Sequence, residues 1–121
     1  MNKKENALKG RTGEKIAEEY LISKGYKIME KNRHYSKNAE IDIIAEDKGV
    51  LVFVEVKARS SLNFGHPFEA VTPLKLAKIR SAAYDYLRCN EKQYKSFRID
   101  AIAVTGFENP KIEHLKNIGW Y

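Results

Sequence analysis

One segment constrains this chain more than any other. Val50-Leu51-Val52-Phe53-Val54-Glu55-Val56-Lys57 is almost continuously apolar until it ends in Glu-Val-Lys. A short apolar run rich in β-branched residues, entered through Gly49, reads as a strand. A strand apolar on both alternations is buried on both faces. The chain therefore has to supply cover on each side of it, which points to a layered domain.

The rest of the chain supplies those layers. A helix is expected from about Thr12, which can cap free backbone N–H groups, to Gly25, which suits the residue just past a last turn. Ile16, Ala17, Tyr20 and Leu21 share one face of it at helical spacing. Residues 26–31 read as a strand and residues 32–39 as a loop. Residues 40–45 form the next strand and 46–49 its turn. After the apolar strand comes a long loop, 59–71, of the kind that often carries function. Thr72-Pro73 opens a second helix, with Leu76, Ile79, Ala83, Tyr86 and Leu87 as its apolar stripe. Residues 97–104 form another strand, and 111–116 a last short one. The order is helix, three strands, helix, one or two strands: an α/β layered domain. Residues 1–10 carry no periodicity and are expected to be a flexible N-terminus, with residues 11–121 as a single domain.

Composition narrows the function. Lys and Arg number 22 against 16 Asp and Glu, a formal net charge of +6. A basic small domain suggests an acidic partner, nucleic acid or anionic lipid. The single cysteine, Cys89, cannot form an internal disulfide, which favours the cytoplasm. The start, Met1-Asn2-Lys3-Lys4, resembles neither a signal peptide nor an anchor, and no apolar run is long enough to cross a membrane.

Charge at the end of a buried strand needs a reason, because Glu and Lys are almost never fully buried unless paired. Glu55 and Lys57 project to one face of their strand, and Asp42 interrupts the preceding strand between Ile41 and Ile43. A two-residue turn at Lys48-Gly49 sets Asp42 directly opposite Glu55. A four-residue turn sets Glu40 there instead. Either even closure puts Glu40, Asp42, Glu55 and Lys57 on one face, whereas an odd loop with a bulge turns Asp42 away. Opposed Cβ atoms are ~5 Å apart and diagonal ones ~7 Å, within reach of a shared divalent ion. Hard oxygen ligands with open positions suit Mg²⁺ or Mn²⁺. Asp42, Glu55 and the Val56 carbonyl could hold such an ion, with Lys57 beside it to stabilise charge on a phosphodiester. An ion pair between Lys57 and Glu55 or Asp42 is the purely structural alternative.

Asp42 followed by Glu55-Val56-Lys57 resembles the PD-(D/E)XK nuclease signature. Further residues extend the likeness: Gly13-Glu14-Lys15-Ile16-Ala17, Ala39-Glu40-Ile41-Asp42-Ile43-Ile44-Ala45, Phe53-Val54-Glu55-Val56-Lys57-Ala58-Arg59, Phe64-Gly65 and Arg98-Ile99-Asp100. Together they are similar to the YraN family, small bacterial nuclease-like proteins related to archaeal Holliday-junction resolvases. The resemblance implies a restriction-endonuclease-like fold, a central mixed β-sheet flanked by helices in the order αβββαβ. It implies a metal-dependent endonuclease site at Asp42, Glu55 and Lys57, with Glu14 as a further carboxylate from the first helix. One departure is Ala39, where the family usually has glycine.

The same residues have other readings. Glu14 in the first turn of a helix could simply interact with its dipole. Glu40 is either a supporting carboxylate or a solvated strand charge. Arg59, Lys75 and Lys78 could grip phosphates of nucleic acid or form a solvated face, and the resemblance includes a lysine at Lys75. Arg98 and Asp100 are expected to pair, and His34 to stand at the surface. Trp120 and Tyr121 read as core or edge aromatics. The leading expectation is an endonuclease cutting DNA, branched or otherwise structured. A non-catalytic nucleic-acid-binding module and a protein-interaction adaptor of the same fold stand beside it. If the junction-resolving subclass applies, a homodimer is expected.

Overall fold

The computed structural model describes residues 3–36, 39–90, 92, 94 and 96–118; Trp120 and Tyr121 lie outside them. The elements are α1 (Lys3–Ser23), β1 (Lys27–Ser36), β2 (Ala39–Asp47), β3 (Val50–Arg59), α2 (Pro73–Cys89), β4 (Ser96–Thr105) and β5 (Lys111–Leu115). Among the described residues the five strands form one sheet in the order β1-β2-β3-β4-β5. β3 and β4 are parallel, and the other neighbours are antiparallel. This is the expected α/β arrangement, a mixed sheet with αβββαβ order and one strand appended.

β3 is buried on both faces, as its sequence requires. Val52, Val54 and Val56 pack with Ala17 and Leu21 of α1. Leu51 and Phe53 pack with Ile79, Ala82, Ala83 and Tyr86 of α2. Each helix thus covers one side of the sheet. α1 approaches closely because Gly13 has no side chain: a Cβ there would stand 2.5 Å from the Ala58 Cβ. At its other end α1 closes with Gly25 at φ 91°. Gly25 N–H donates to the Ile22 carbonyl at 3.0 Å and Tyr26 N–H to the Leu21 carbonyl at 3.0 Å. That pair of bonds satisfies carbonyls the helix leaves open. α2 begins as expected: Thr72 Oγ1 accepts the Lys75 N–H at 3.2 Å, with Pro73 in the first turn.

Three boundaries differ from the sequence reading. α1 begins at Lys3, not near Thr12. Its first turns are rich in Lys, Glu, Ala and Leu, good helix formers that need no apolar stripe. β1 continues to Ser36, so residues 32–36, read as a loop, are strand. β1 is an edge strand and can be polar along its outer part, which hides it from an apolar-alternation test. The 59–71 loop contains two short helical turns, Leu62–Phe64 and Pro67–Ala70. His66 Nδ1 accepts the Phe68 N–H at 3.1 Å, and Nε2 meets Glu113 of β5 at 3.0 Å, tying the loop to the sheet. No helix among the described residues is long and apolar enough to cross a membrane.

Candidate active site

The turn between β2 and β3 decides where the acidic residues fall. Asp47 pairs with Val50, leaving Lys48-Gly49 as a two-residue turn. Both turn residues have positive φ, 51° and 86°, the backbone that matches strand twist in a tight hairpin. The ladder runs to Ile43↔Val54. One step further the same register carries Asp42 opposite Glu55. There the strands part, and Asp42 Oδ2 accepts the Val56 N–H at 2.8 Å.

The sheet also changes face at this point. Ile43 packs on the α1 side and Ile41 on the α2 side, although they are two residues apart. Across the ladder, Lys31 pairs with Ile43 and Arg33 with Ile41, so Asn32 lies opposite Asp42. Asn32 has φ 52°, a conformation Asn tolerates better than most side chains. Lys31 consequently reaches Glu18 of α1 at 3.1 Å, while Arg33 stands over the Tyr86 ring of α2. With its amide nitrogen turned toward the carboxylates, Asn32 donates to Glu14 at 3.0 Å and Glu40 at 3.1 Å.

This kink corrects the expectation that four charges share one face. Glu40 meets Glu14 through Asn32, on the α1 side. Glu55 faces the lysines: its Oε1 lies 3.2 Å from Lys57 Nζ and 3.6 Å from Lys75 Nζ. Asp42 sits between the two groups. Glu55 is only 2% exposed, and its other oxygen, Oε2, is buried with no hydrogen-bond partner among the described residues. Asp42 is half-buried. Its carboxyl is pushed up to about 8, first by burial and then by the negative charge of Glu55. Glu14 is raised by the same two causes, burial first and then the charge of Glu40.

The remaining sequence candidates divide. Lys75, at the start of α2, joins the acidic pair directly. Arg59 lies near it on β3, with Nε buried and without a partner among the described residues. No ion pair among the described residues links Lys78 to this group. His34 is exposed, 3.8 Å from Glu40, as a surface residue. Asn32 was missed because its stretch carried no apolar pattern; an Asn amid charged residues is the only trace it leaves in the sequence.

The donor set fits a hard divalent cation. Two carboxylates converge, one oxygen is buried and unsatisfied, and burial together with the Glu55 charge pushes the Asp42 carboxyl up to about 8. Among the described residues no group of three or more His, Cys, Asp and Glu side chains is gathered to hold an ion. A site of two carboxylates and a backbone carbonyl leaves most positions to water and substrate oxygens, which suits Mg²⁺. Beside it a cleft of about 220 Å³ opens between Glu14, Lys15, Glu18, Lys31 and Asn32.

Fold and site thus define an α/β protein whose mixed sheet parts around an acidic pair braced by two lysines. Residues 13–104 match the model of the uncharacterised protein family UPF0102, and the chain belongs to that family. It is 44% identical over 114 residues to a UPF0102 protein of Arthrobacter sp. (strain FB24), covering 93% of this chain and 96% of that one. A UPF0102 protein of Chlorobaculum parvum is 45% identical over 114 residues, covering 88% of each chain. One from Chlorobium phaeobacteroides is 46% identical over 109 residues, covering 88% of this chain and 86% of that one.

Proposed function

We propose that this protein is a metal-dependent endonuclease of PD-(D/E)XK type that hydrolyses DNA phosphodiester bonds, with branched or structured DNA as its substrate class. The observation that carries the reading is Glu55. It is buried at the end of an apolar strand, opposite Asp42, with one oxygen held by Lys57 and Lys75 and the other left unpartnered. A purely structural ion pair would satisfy both oxygens, since buried polar groups are normally hydrogen-bonded.

Asp42, Glu55 and the Val56 carbonyl would hold Mg²⁺ or Mn²⁺. When bound, such an ion supplies Lewis-acid polarisation and offsets phosphodiester charge. Lys57 is the candidate to orient the attacking water and to stabilise negative charge growing on the phosphate. Lys75 shares Glu55 with it and keeps that carboxylate aimed. Glu14, through Asn32 and Glu40, borders the opening where the scissile phosphate would enter. Arg59 offers a buried N–H to a neighbouring phosphate, and the excess of positive charge gives salt-dependent backbone affinity. Lys78 would add only to that general attraction.

The test uses linear, single-stranded and four-way-junction DNA, with and without Mn²⁺. Cleavage should require the ion and fall by about 10²-fold or more in both Asp42→Ala and Lys57→Ala. DNA binding without cleavage, unchanged by Asp42→Ala, would replace the enzyme with a non-catalytic binding module. Neither cleavage nor binding would leave a protein-interaction adaptor.

A further inference from the structure

A second polar cluster is centred on β4, the strand beside β3, where Asp100 is level with Val54. Asp100, on β4, is fully buried. It accepts from His114 Nε2 at 2.7 Å, from the Asn117 N–H at 2.9 Å and from Arg98 Nε at 3.1 Å. His114 then presents Nδ1 to the Tyr20 hydroxyl at 3.2 Å, with the two rings edge to face. Arg98 also donates to the Tyr26 hydroxyl at 2.8 Å. The relay from Asp100 through His114 ends at a hydroxyl on the wall of a cleft of about 350 Å³.

Charge around this cleft is unbalanced. Lys24, Lys48 and Lys116 line it, from the end of α1, the β2–β3 turn and the segment after β5. None of the three pairs with a carboxylate among the described residues. Asp47 lines it too, but already meets Arg98 at 3.5 Å. Four cations therefore face two carboxylates, Asp47 and Asp100, with His114 counted neutral. Three lysines without a carboxylate partner on the walls of one hollow, Lys24 standing over the Tyr20 ring, leave it with positive charge that an anion would offset. The hollow does not include the acidic pair: Asp47, on its wall, is five residues along β2 from Asp42, about 17 Å of strand.

We propose that this cleft is a binding site for a phosphate monoester group, free or at the end of a larger ligand. The local excess of two positive charges matches the dianion of a monoester better than the single charge of a phosphodiester. The concave wall encloses a terminal group and would obstruct a continuous backbone. Lys24, Lys48 and Lys116 supply the charge. Tyr20, whose O–H is given to His114 Nδ1, contributes a fixed wall to the cleft and no donor to the ligand. The proposal does not depend on the acidic pair being catalytic.

Calorimetric titration of the full chain with inorganic phosphate, in chelator and without divalent ions, tests it. One phosphate should bind per chain. The double substitution Lys24→Gln, Lys48→Gln should weaken binding about tenfold or more, through loss of two charge-assisted contacts. Tyr20→Phe, which removes no donor to the ligand, and Lys111→Gln, on the outer strand, should both leave it nearly unchanged. Absence of saturable binding overturns the proposal, as does equal weakening by Lys111→Gln. A blunt DNA duplex without terminal phosphates that displaces phosphate from the cleft would assign it to backbone phosphodiesters instead, and overturn the monoester assignment. Because Asp42 and Glu55 are untouched and no metal is present, none of these outcomes bears on DNA cleavage.

Discussion

Asp42 lies on β2 between Ile41 and Ile43, and Asp100 lies on β4 between Ile99 and Ala101. In sequence they are the same event, a carboxylate interrupting an apolar strand. Asp100 is the more deeply buried, yet its carboxyl is held below the usual range. Burial works against that, and the bonds from His114 and the Asn117 N–H, with the charge of Arg98, outweigh it. Asp42 keeps some exposed surface, but burial is still the first cause that pushes its carboxyl up to about 8. It has one backbone N–H and faces Glu55. Burial raises both carboxyls; what separates the structural one from the candidate site residue is the inventory of donors and like charges around it.

The largest expected effect is on folding. Asp100→Asn leaves Arg98 and His114 without their anion and should cost about 3–5 kcal/mol, as breaking a buried pair does. Asp42→Asn keeps an oxygen for the Val56 N–H and leaves no buried charge without a partner. Urea denaturation of both variants at neutral pH compares them directly. Similar losses at the two positions would erase the contrast.

Next comes the pH dependence, where the two residues should act in opposite directions. An unfolded Asp releases its proton near pH 4. Folded Asp42 keeps its proton up to about 8. Between those values the folded state binds the extra proton, so the contribution of Asp42 to stability falls as pH rises, and is lost by pH 8 and above. Asp100 has a lowered folded pKa, so its contribution is present above the unfolded value and is lost as pH falls through the folded one. Asp42→Asn should therefore gain stability over the parent at pH 9, on the order of 1 kcal/mol or more, and gain little at pH 4. A pH-independent difference would show that Asp42 does not titrate in this window.

A divalent ion should sharpen the contrast further. Its ligands must be deprotonated, so binding at Asp42 and Glu55 strengthens with pH. Millimolar Mn²⁺ should raise the melting temperature by a few degrees at pH 8.5 and less at pH 6, following the ligand-linkage relation. Asp42→Ala should abolish the rise. An equal rise in that variant would place the ion elsewhere.

The sequence made one side of this comparison readable and left the other half-read. Asp42, Glu55 and Lys57 stood out because charge on an apolar strand is costly, but their register stayed open among turn lengths until the structure gave the two-residue turn at Lys48-Gly49. Arg98 and Asp100 were paired correctly from their i, i+2 spacing. His114 and Tyr20 were not connected to them, since they come from β5 and α1 and meet only when both helix and edge strand are in place. Asn32 was hidden for another reason. Its role depends on a positive φ opposite Asp42, and one backbone angle leaves no periodic mark in a polar edge strand.

The smallest effect reaches Asp42 through that asparagine's neighbours. Glu14 raises Asp42 by its charge, but burial and Glu55 come first. Glu14→Gln removes the charge and leaves an amide that can still meet Asn32. The titration midpoint of Asp42, followed by carboxyl carbon NMR, should then move down, and by less than Glu55→Gln moves it. Asp100 should not move, because its carboxyl answers to His114, Asn117 and Arg98, and Glu14 is not among the groups that shift it. If Glu14→Gln shifts Asp42 more than Glu55→Gln does, the carboxylate that Asp42 feels most is on α1 rather than β3, and the acidic pair has to be redrawn around Glu14.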